Sequence, residues 1–600
     1  MDGEQTLSLV QSSPMPRPPK PLLADWAHRG LAVLAVLGAT LVILLPPWVA
    51  AQDLPGWSAA SSVVLHPERF PWLLPNVPLT QLLFNGLLVA LGNWLPLAMT
   101  LKVALLIGLA GWCSAWCLIA RRLGGEPFSA VAVAAASWVG WMFVMGFGGY
   151  LFGSVCGAFA LAALLRPGET WRSTALAALW VALAIAGHVV AAGHACLFIV
   201  AWVSARPCRR RLAQGAAILV PAAIAAAVIC LSATENATYT ESIAGGVWSW
   251  GTPLERLSDA LTTTFVGYTD GARPLGVYAL ILVCVRLFLK EADASRNRFV
   301  SISLIGSILL SIVAPHSGLG FIFIRERLLL FPALLALSAI PAAARWKWVQ
   351  FIAVALATVA ACAAVPVAVH EGKRTEANIA SFGVEPVGRV YGVLFEPPST
   401  VAAPHARPHL GDPAYALVLG GVSPTMFATN HVWMPATFRI PLGQIFPETR
   451  SWFHVSTPCD PSEKPCLTRL FNEGEKIAVD ALAFDTIAAI GMPAPTEFAV
   501  RRRGWQQVTA GTWKRNPSRL TLVLPAATEP APTLAQAEIS RVAVAQGRFG
   551  RRADGMWVAT LENLVAGPVL VGVVTGRASI GSFEIALDPG EQRTIQLGSK

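Results

Sequence analysis

Charged residues are scarce in this chain. Asp, Glu, Lys and Arg together make up 13% of its 600 residues, against 54% hydrophobic residues, and the mean hydropathy is +0.55. Soluble globular domains carry about 25% charged residues, so the composition excludes an ordinary soluble protein. Nearly unbroken apolar segments run from about residue 30 to residue 368 and then stop. The sequence therefore divides into a polytopic membrane half and a water-soluble half.

Acidic residues are outnumbered by basic ones, which gives a formal net charge of +10. The basic residues stand in short clusters between apolar segments, as in positively charged cytoplasmic loops, so the charge indicates topology and not a nucleic-acid partner. Placing the clusters inside predicts about eleven spans. The predicted spans cover 31–50, 97–119, 128–146, 150–166, 174–190, 191–205, 213–232, 274–290, 298–314, 327–344 and 348–368. This odd count puts the amino-terminal tail, residues 1–29, inside the cell and the carboxy-terminal domain outside it.

A cleavable signal peptide is not apparent, because the first apolar run has full spanning length and lacks a cleavage site of small residues. Cysteines are few as well, and eight of the ten fall in or beside apolar segments, where a thiol is usually a small buried hydrophobe. Cys459 and Cys466 differ, since they lie among turn residues in the predicted exported domain. An oxidising compartment would allow them to form a disulfide, and two free thiols are the alternative.

Two predicted extracytoplasmic loops, 51–96 and 233–274, interrupt the membrane region at 30–369. The first contains the apolar stretch LLFNGLLVALG, which is too short to cross a bilayer and is predicted as a helix at the outer membrane surface or re-entering it. The second contains Trp248 and Trp250. These side chains suit either an interfacial aromatic belt or contact with a sugar ring.

Asp53 lies just outside the first span, in a long loop that an interfacial helix and many further spans follow. This arrangement resembles the GT-C class of membrane glycosyltransferases. The segments PNVPLTQLL, VMGFGGYLFG, AIAGHVV, FIRERLLL and PHLGDPAYALVLGG resemble a bacterial group of GT-C-like proteins of mostly undefined activity. The resemblance implies a carboxylate at the outer face that acts as general base or metal ligand, and a polyprenyl-phosphate sugar as donor. A single displacement would invert the anomeric carbon.

Other residues of the first loop are candidates for the same chemistry. Proteins of this group tend to carry a histidine a few residues after the acid, where this chain has Trp57. His66 and Glu68 could supply the imidazole and a second carboxylate, or could be solvated loop residues. Trp57 is a candidate sugar contact.

Cations at the outer face are candidates for holding the donor phosphate. Arg325 and Arg327 precede the tenth predicted span, and Lys102 lies slightly inside the second. A guanidinium binds phosphate through two parallel hydrogen bonds, whereas snorkelling towards headgroups is the alternative for all three cations. His188 and His194 favour hydrogen-bonded structural roles over a metal pair. No metal ligand set is predicted, and the cofactor stays unknown, with a divalent metal left open.

The exported half is predicted as two pieces, an α/β region at 370–515 and a β-sandwich-like module at 516–600. In the first piece His409 and Tyr415 are candidate sugar contacts, while the alternative is that this segment, with Asp412, caps a helix. The β module either binds the growing glycan or only packs.

The favoured function is therefore a membrane glycosyltransferase. It would transfer a sugar from a polyprenyl-phosphate donor to a glycan, lipid or protein acceptor at the extracytoplasmic face, in contact with membrane lipids. One alternative is a non-catalytic membrane subunit of a polysaccharide assembly machine. Another is a transporter or flippase, for which inverted repeats would be expected and are not apparent.

Overall fold

The structure is a computed structural model that describes most of the membrane half and most of the β-rich end. The described residues are 23–69, 73–78, 80–168, 170–234, 252, 265–289, 293–314, 317–318, 321–322, 327–328, 330–381, 390–394, 401–403, 406, 408–409, 412, 436–438, 464–481, 486–509, 512–515, 518–528, 531–539, 542–564, 567–575 and 578–598.

Helices fill the described membrane half. In chain order they are α1 (Leu23–Leu44), α2 (Leu54–Leu65), α3 (Leu82–Gly92), α4 (Leu97–Arg122), α5 (Pro127–Trp138), α6 (Trp141–Val144), α7 (Gly148–Leu164), α8 (Trp171–Gly187), α9 (Val189–Ala205), α10 (Arg209–Thr234), α11 (Arg273–Phe288), α12 (Ala294–Val313), α13 (Leu330–Ser338) and α14 (Lys347–Ser381). Two more, α15 (Lys464–Asp480) and α16 (Ala494–Arg502), belong to the second half.

Strands predominate towards the carboxy terminus. They are β1 (Leu73–Pro75), β2 (Ser317–Gly318), β3 (Phe321–Ile322), β4 (Val390–Leu394), β5 (Ala436–Phe438), β6 (Thr486–Ile490), β7 (Trp505–Thr509), β8 (Thr512–Arg515), β9 (Ser518–Leu524), β10 (Leu534–Ile539), β11 (Val542–Arg548), β12 (Gly550–Arg551), β13 (Trp557–Leu564), β14 (Gly567–Thr575), β15 (Ala578–Leu587) and β16 (Gln592–Gln596).

The chain is a multi-pass membrane protein. Among the described residues, seven helical segments are long and apolar enough to cross a bilayer: Trp26–Leu44, Leu97–Arg122, Pro127–Val144, Arg209–Ile229, Asp270–Phe288, Ala294–Val313 and Ala344–Ala380. Helices α7, α8 and α9 have 17 residues each. At about 1.5 Å per residue they are about 25 Å long, near the lower limit for a span.

The first and last spans differ from their predicted bounds. Helix α1 ends at Leu44, six residues early, because Pro46 and Pro47 follow and a proline cannot continue a helix. Helix α14 continues to Ser381 and so projects beyond the predicted end at residue 368. The first loop contains the predicted short helix, α3, and also α2, which the sequence pattern did not indicate.

The tenth predicted span, 327–344, is corrected most. Its described helix, α13, has nine residues, too few to cross a bilayer by itself. The segment still joins the two ends of the bundle, because Arg327 contacts Tyr150 at the start of α7, whereas Pro341 pairs with Gly125 just after α4. Every residue from 330 to 340 is buried. This crossing therefore runs through the protein interior, where lipid does not surround it and a full apolar length is not required.

The structure confirms the predicted combination of a helical membrane half with a second half that contains β-sheets. Strands β4, β6, β8 and β7 form one sheet in that order, with β4 and β6 parallel. The sheets β11-β10-β14-β15 and β12-β13-β9-β16 enclose a separate apolar core that includes Leu522, Leu561 and Val571. Strand β1, in the first loop, pairs with β5, so this loop touches the second half of the chain.

Candidate active site

Asp53 lies at the amino-terminal end of α2, where it occupies the N-cap position without capping the helix. Its side chain makes no hydrogen bond to the first-turn amides, and its Oδ1 atom is buried and accepts no hydrogen bond from the described residues. Burial raises the pKa of Asp53 to about 7, although the charge of Arg327 and a hydrogen bond from the Gln52 side chain act in the opposite direction. Asp53 is therefore a carboxylate that titrates near neutral pH.

Backbone contacts fix the position of Asp53. The Gln52 amide donates to the Val144 carbonyl oxygen at 2.9 Å, which ties the loop to the end of α6. Gly146 has a φ of +79°, and a Cβ atom there would lie 2.4 Å from the Asp53 nitrogen. Only glycine fits at this point, because the backbone is left-handed and the approach is closer than any side chain permits.

Tyr268 supports the same loop from the segment that precedes α11. Its hydroxyl donates to the Ala50 carbonyl oxygen at 2.5 Å, and its ring lies 6.3 Å from that of Phe143, centroid to centroid. Burial and the nearby negative charge of Glu371 raise the pKa of Tyr268 above its ordinary value. The phenol thus stays protonated and keeps its role as a donor.

Arg327 supplies a positive charge beside Asp53. The side chain is buried, its Nη1 atom lies 2.8 Å from Nε2 of His188, and its guanidinium carbon lies 3.9 Å from the centre of the Phe147 ring. The Tyr150 hydroxyl donates to the Arg327 backbone carbonyl. Two aromatic rings and an imidazole therefore orient this cation at the end of the bundle where Asp53 lies.

His188 occupies the break between α8 and α9, in an extended conformation with φ −167°. Its Nδ1 atom lies 3.1 Å from the Val190 amide and caps α9. An imidazolium would place two cations 2.8 Å apart, so the ring facing Arg327 is neutral. A neutral ring has one acceptor nitrogen, for which the Val190 amide and the Arg327 guanidinium compete.

Some predicted site residues lie elsewhere. Lys102 is buried and donates from Nζ to the Leu44 carbonyl oxygen at 3.1 Å, so it caps the end of α1. His66 directly follows α2, and its Nδ1 atom lies 3.8 Å from Glu68 Oε1; the His66 side chain is half-exposed and that of Glu68 is exposed. The twelve residues of α2 separate them from Asp53 by about 18 Å. Trp57, in the first turn of α2, is buried.

Five predicted site residues lie outside the described residues: Arg325, Trp248, Trp250, Tyr415 and Cys459. Cys466 is disulfide-bonded, and Cys459 as its partner stays a prediction. His194 is buried in α9, with its ring 4.7 Å from that of Phe331. The described residues contain no group of three or more His, Cys, Asp or Glu side chains arranged to hold a metal ion.

His409 belongs to a buried cluster that joins α14 to the segment after β4. Its Nε2 atom lies 2.5 Å from Glu371 Oε2 and its Nδ1 atom 3.0 Å from Asp412 Oδ2. Because carboxylates only accept hydrogen bonds, both ring nitrogens donate and His409 is an imidazolium. Thr375 and Asn378 donate to the two Asp412 oxygens at 3.0 and 2.6 Å. No ring nitrogen remains for a sugar hydroxyl, which favours a structural role for His409.

Sequence reasoning singled out Asp53 and Arg327 as candidates but missed how the chain holds them. The signals lay in segments singled out for another reason, since Gly146 and Tyr150 belong to VMGFGGYLFG and His188 belongs to AIAGHVV. A glycine cluster before a helix does not reveal which backbone approaches it. Glu371 was missed because it lies in the part of α14 that continues beyond the predicted end of the span at residue 368.

No protein-family model and no curated protein matches the chain. The fold is similar to that of the oligosaccharyltransferase of Archaeoglobus fulgidus in the apo form, with a TM-score of 0.40 and 10% identity over 96% of this chain and 99% of the other. ArnT from Cupriavidus metallidurans in the apo state gives a TM-score of 0.39 and 12% identity over 66% and 85%. The arabinofuranosyltransferase AftD from Mycobacteria gives 0.44 and 16% over 85% of this chain and 42% of its own. Identities this low transfer no residue's role to this chain.

Proposed function

We propose that the chain is a membrane glycosyltransferase in which Asp53 is the general base. The observation that carries the proposal is the buried Asp53 oxygen that accepts no hydrogen bond from the described residues, next to the oriented cation of Arg327. The donor would be a polyprenyl-phosphate sugar. The acceptor would be a hydroxyl group of a glycan, lipid or protein at the membrane face where Asp53 lies.

In the proposed reaction the acceptor oxygen forms a bond to the anomeric carbon while the bond from that carbon to the phosphate oxygen breaks. The acceptor proton passes to Asp53, and polyprenyl phosphate leaves with the electron pair. One displacement of this kind inverts the anomeric carbon. A base is most effective when its pKa lies near the working pH, and a pKa of about 7 meets that requirement.

Arg327 would bind the donor phosphate and stabilise the charge on the leaving group. A guanidinium has five N–H donors, and Nη1 of Arg327 lies against His188. Its planar fork suits phosphate better than an ammonium does. Burial against Phe147 and Tyr150 strengthens this electrostatic contribution, because little water is present to screen it.

A divalent metal does not fit the described site well. The carboxylate of this site belongs to Asp53. The positive charge of Arg327 acts on Asp53 and would repel a metal ion. Metals such as Mg²⁺ and Mn²⁺ require several oxygen ligands. The proposed reaction therefore includes no metal-dependent step.

The test uses the full chain in detergent with synthetic polyprenyl-phosphate sugars carrying different ¹⁴C-labelled hexoses and pentoses, and measures release of polyprenyl phosphate. Asp53→Asn should lower turnover about 10²–10⁴-fold, because it removes the base while keeping the side-chain shape. Arg327→Lys should mainly raise the donor concentration required, because a lysine cannot form the bidentate contact.

Asp270→Asn and Arg273→Lys are matched controls. These two residues form an exposed ion pair at 2.6 Å at the start of α11, on the same side of the bundle as Asp53. Both controls should behave like the unchanged protein. If Asp53→Asn releases polyprenyl phosphate at the unchanged rate, Asp53 is not the base. If no donor is turned over by the unchanged protein, the non-catalytic subunit becomes the better interpretation.

A further inference from the structure

A cleft lies at the end of the bundle opposite Asp53. Its inner part is a cavity of about 400 Å³ between the first residues of α1, α5 and α14. The polar lining consists of His28, Arg29, Glu126, Lys347 and Gln350. This volume is typical of small-molecule binding sites.

An apolar groove of about 410 Å³ continues from the cavity along α1 towards the middle of the bundle. Phe128 lines both spaces. Arg29, Val33 and Leu37 recur every four residues and so lie on one face of α1. Val33 is 62% and Leu37 47% exposed, so the groove opens sideways, where lipid surrounds the helices.

The cleft carries positive charge. The acidic residue of the cavity lining, Glu126, has partners within the protein. It accepts a hydrogen bond from the Ser129 amide at 2.6 Å, and its Oε2 atom lies 3.0 Å from His28 Nε2. Arg29 lies over Phe128, with 5.2 Å between the guanidinium carbon and the ring centre. Arg121 lines the groove from the end of α4, and neither Arg29 nor Arg121 is ion-paired within the described part of the chain.

We propose that this cleft binds an anionic phospholipid, with the phosphate headgroup in the cavity and an acyl chain in the groove. A basic pocket that leads directly into a lateral apolar groove matches the two parts of such a lipid, and clusters of Lys and Arg between membrane helices attract anionic headgroups. A soluble phosphate would fill only the cavity. The site is separate from Asp53 and does not depend on the proposed function.

The experiment measures lipid retained by the full chain in native mass spectrometry, after exchange into detergent with either phosphatidylglycerol or phosphatidylcholine. The unchanged protein should retain phosphatidylglycerol preferentially. Arg29→Gln and Lys347→Gln should each weaken retention roughly fivefold. Val33→Trp should abolish retention by filling the groove, without altering the charge. Arg172→Gln, an exposed cation at the start of α8 on the same side, should have no effect.

Three outcomes would overturn the proposal. Equal retention of both lipids would show that the charges select nothing. Equal thermal stabilisation by inorganic phosphate and by phosphatidylglycerol, with Val33→Trp unaffected, would indicate a soluble anion. Retention that appears only after removal of residues 1–22 would show that the amino-terminal segment is the occupant.

Discussion

Asp53 is a partly exposed residue whose carboxylate is buried deeply enough to titrate near neutral pH. An aspartate at an N-cap position usually accepts hydrogen bonds from the first-turn amides, which stabilise its charged form. Here the first turn contains Pro55, and the side chain makes no capping bond. The cost of burial therefore prevails over the attraction of Arg327, and the proton is held more tightly than in water.

This shift predicts how stability depends on pH. Because the pKa of Asp53 is about 7 in the folded protein and lower in the unfolded chain, losing the proton destabilises the fold progressively as pH rises from about 4 to 7. Asp53→Asn cannot ionise, so at pH 8 it should melt at a higher temperature than the unchanged protein. The difference should shrink towards pH 4.

Thermal unfolding in detergent at several pH values tests this expectation. Asp270→Asn is the control, because its exposed carboxylate is paired with Arg273 and its removal should not produce a gain that grows with pH. A melting-temperature difference between Asp53→Asn and the unchanged protein that is constant from pH 4 to pH 8 would contradict the raised pKa.

Gly146 lies against the backbone of Asp53 at a point where only glycine fits. Gly146→Ala forces a side chain into a left-handed backbone and to within 2.4 Å of the Asp53 nitrogen. It should destabilise the protein by about 1–3 kcal/mol and displace Asp53, which urea unfolding and the donor-release assay would each detect. Gly193→Ala is the matched control, because nothing lies within 4 Å of the added Cβ atom in α9. An unaltered Gly146→Ala protein would show that the loop adapts.

At the scale of helices, the sequence pattern predicted spans whose apolar length is set by the bilayer. It missed helices that are surrounded by protein. The predicted span at 97–119 corresponds closely to α4, Leu97–Arg122, because apolar length and a terminal Arg pair mark such a helix. The length of helix α13 was predicted wrongly, because protein surrounds this helix and the bilayer does not set its length. Helix α2 contains Ser58, Ser61 and Ser62, small polar residues that are typical of a loop in a sequence. In the structure all three are buried.

The extension of α14 beyond the predicted span explains the cluster around His409. Glu371 and Asp412 are both fully buried, and the imidazolium between them neutralises part of their charge. Removing one partner of a buried ion pair typically costs about 3–5 kcal/mol, because a buried charge loses an opposite charge beside it. His409→Gln should therefore destabilise the protein by about that amount, measured by urea unfolding.

A second change separates charge from packing in this cluster. If the carboxylate that has lost the imidazolium causes the loss, adding Glu371→Gln to His409→Gln should restore part of the stability. His370→Gln alters an exposed neighbour on the same helix and should change stability little. A double variant less stable than His409→Gln alone would mean that packing, and not charge, dominates this junction.

Across the whole molecule, three independent contacts place the second half of the chain on the same side of the bundle as Asp53. A Cβ atom on Gly372 of α14 would lie 2.5 Å from the Trp48 carbonyl oxygen, so α14 leaves the bundle beside the loop that contains Asp53. Strand β1 of the first loop pairs with β5. The Ala402 amide donates to the Tyr268 carbonyl oxygen at 3.4 Å. The catalytic proposal and the location of the second half therefore depend on the same topology.

Reporter fusions test that topology directly. A reporter that is active only outside the cytoplasm should work when fused after Gly550, in the β-rich half, or after Pro398. The same reporter fused after Gly168, between α7 and α8, should be inactive, because this turn lies at the end of the bundle that carries Arg121 and Arg172 and basic loops remain in the cytoplasm. Activity after Gly168 but not after Gly550 would show that the chain crosses the membrane in the opposite orientation. Asp53 would then face the cytoplasm, and the anionic-lipid cleft would lie in the outer leaflet.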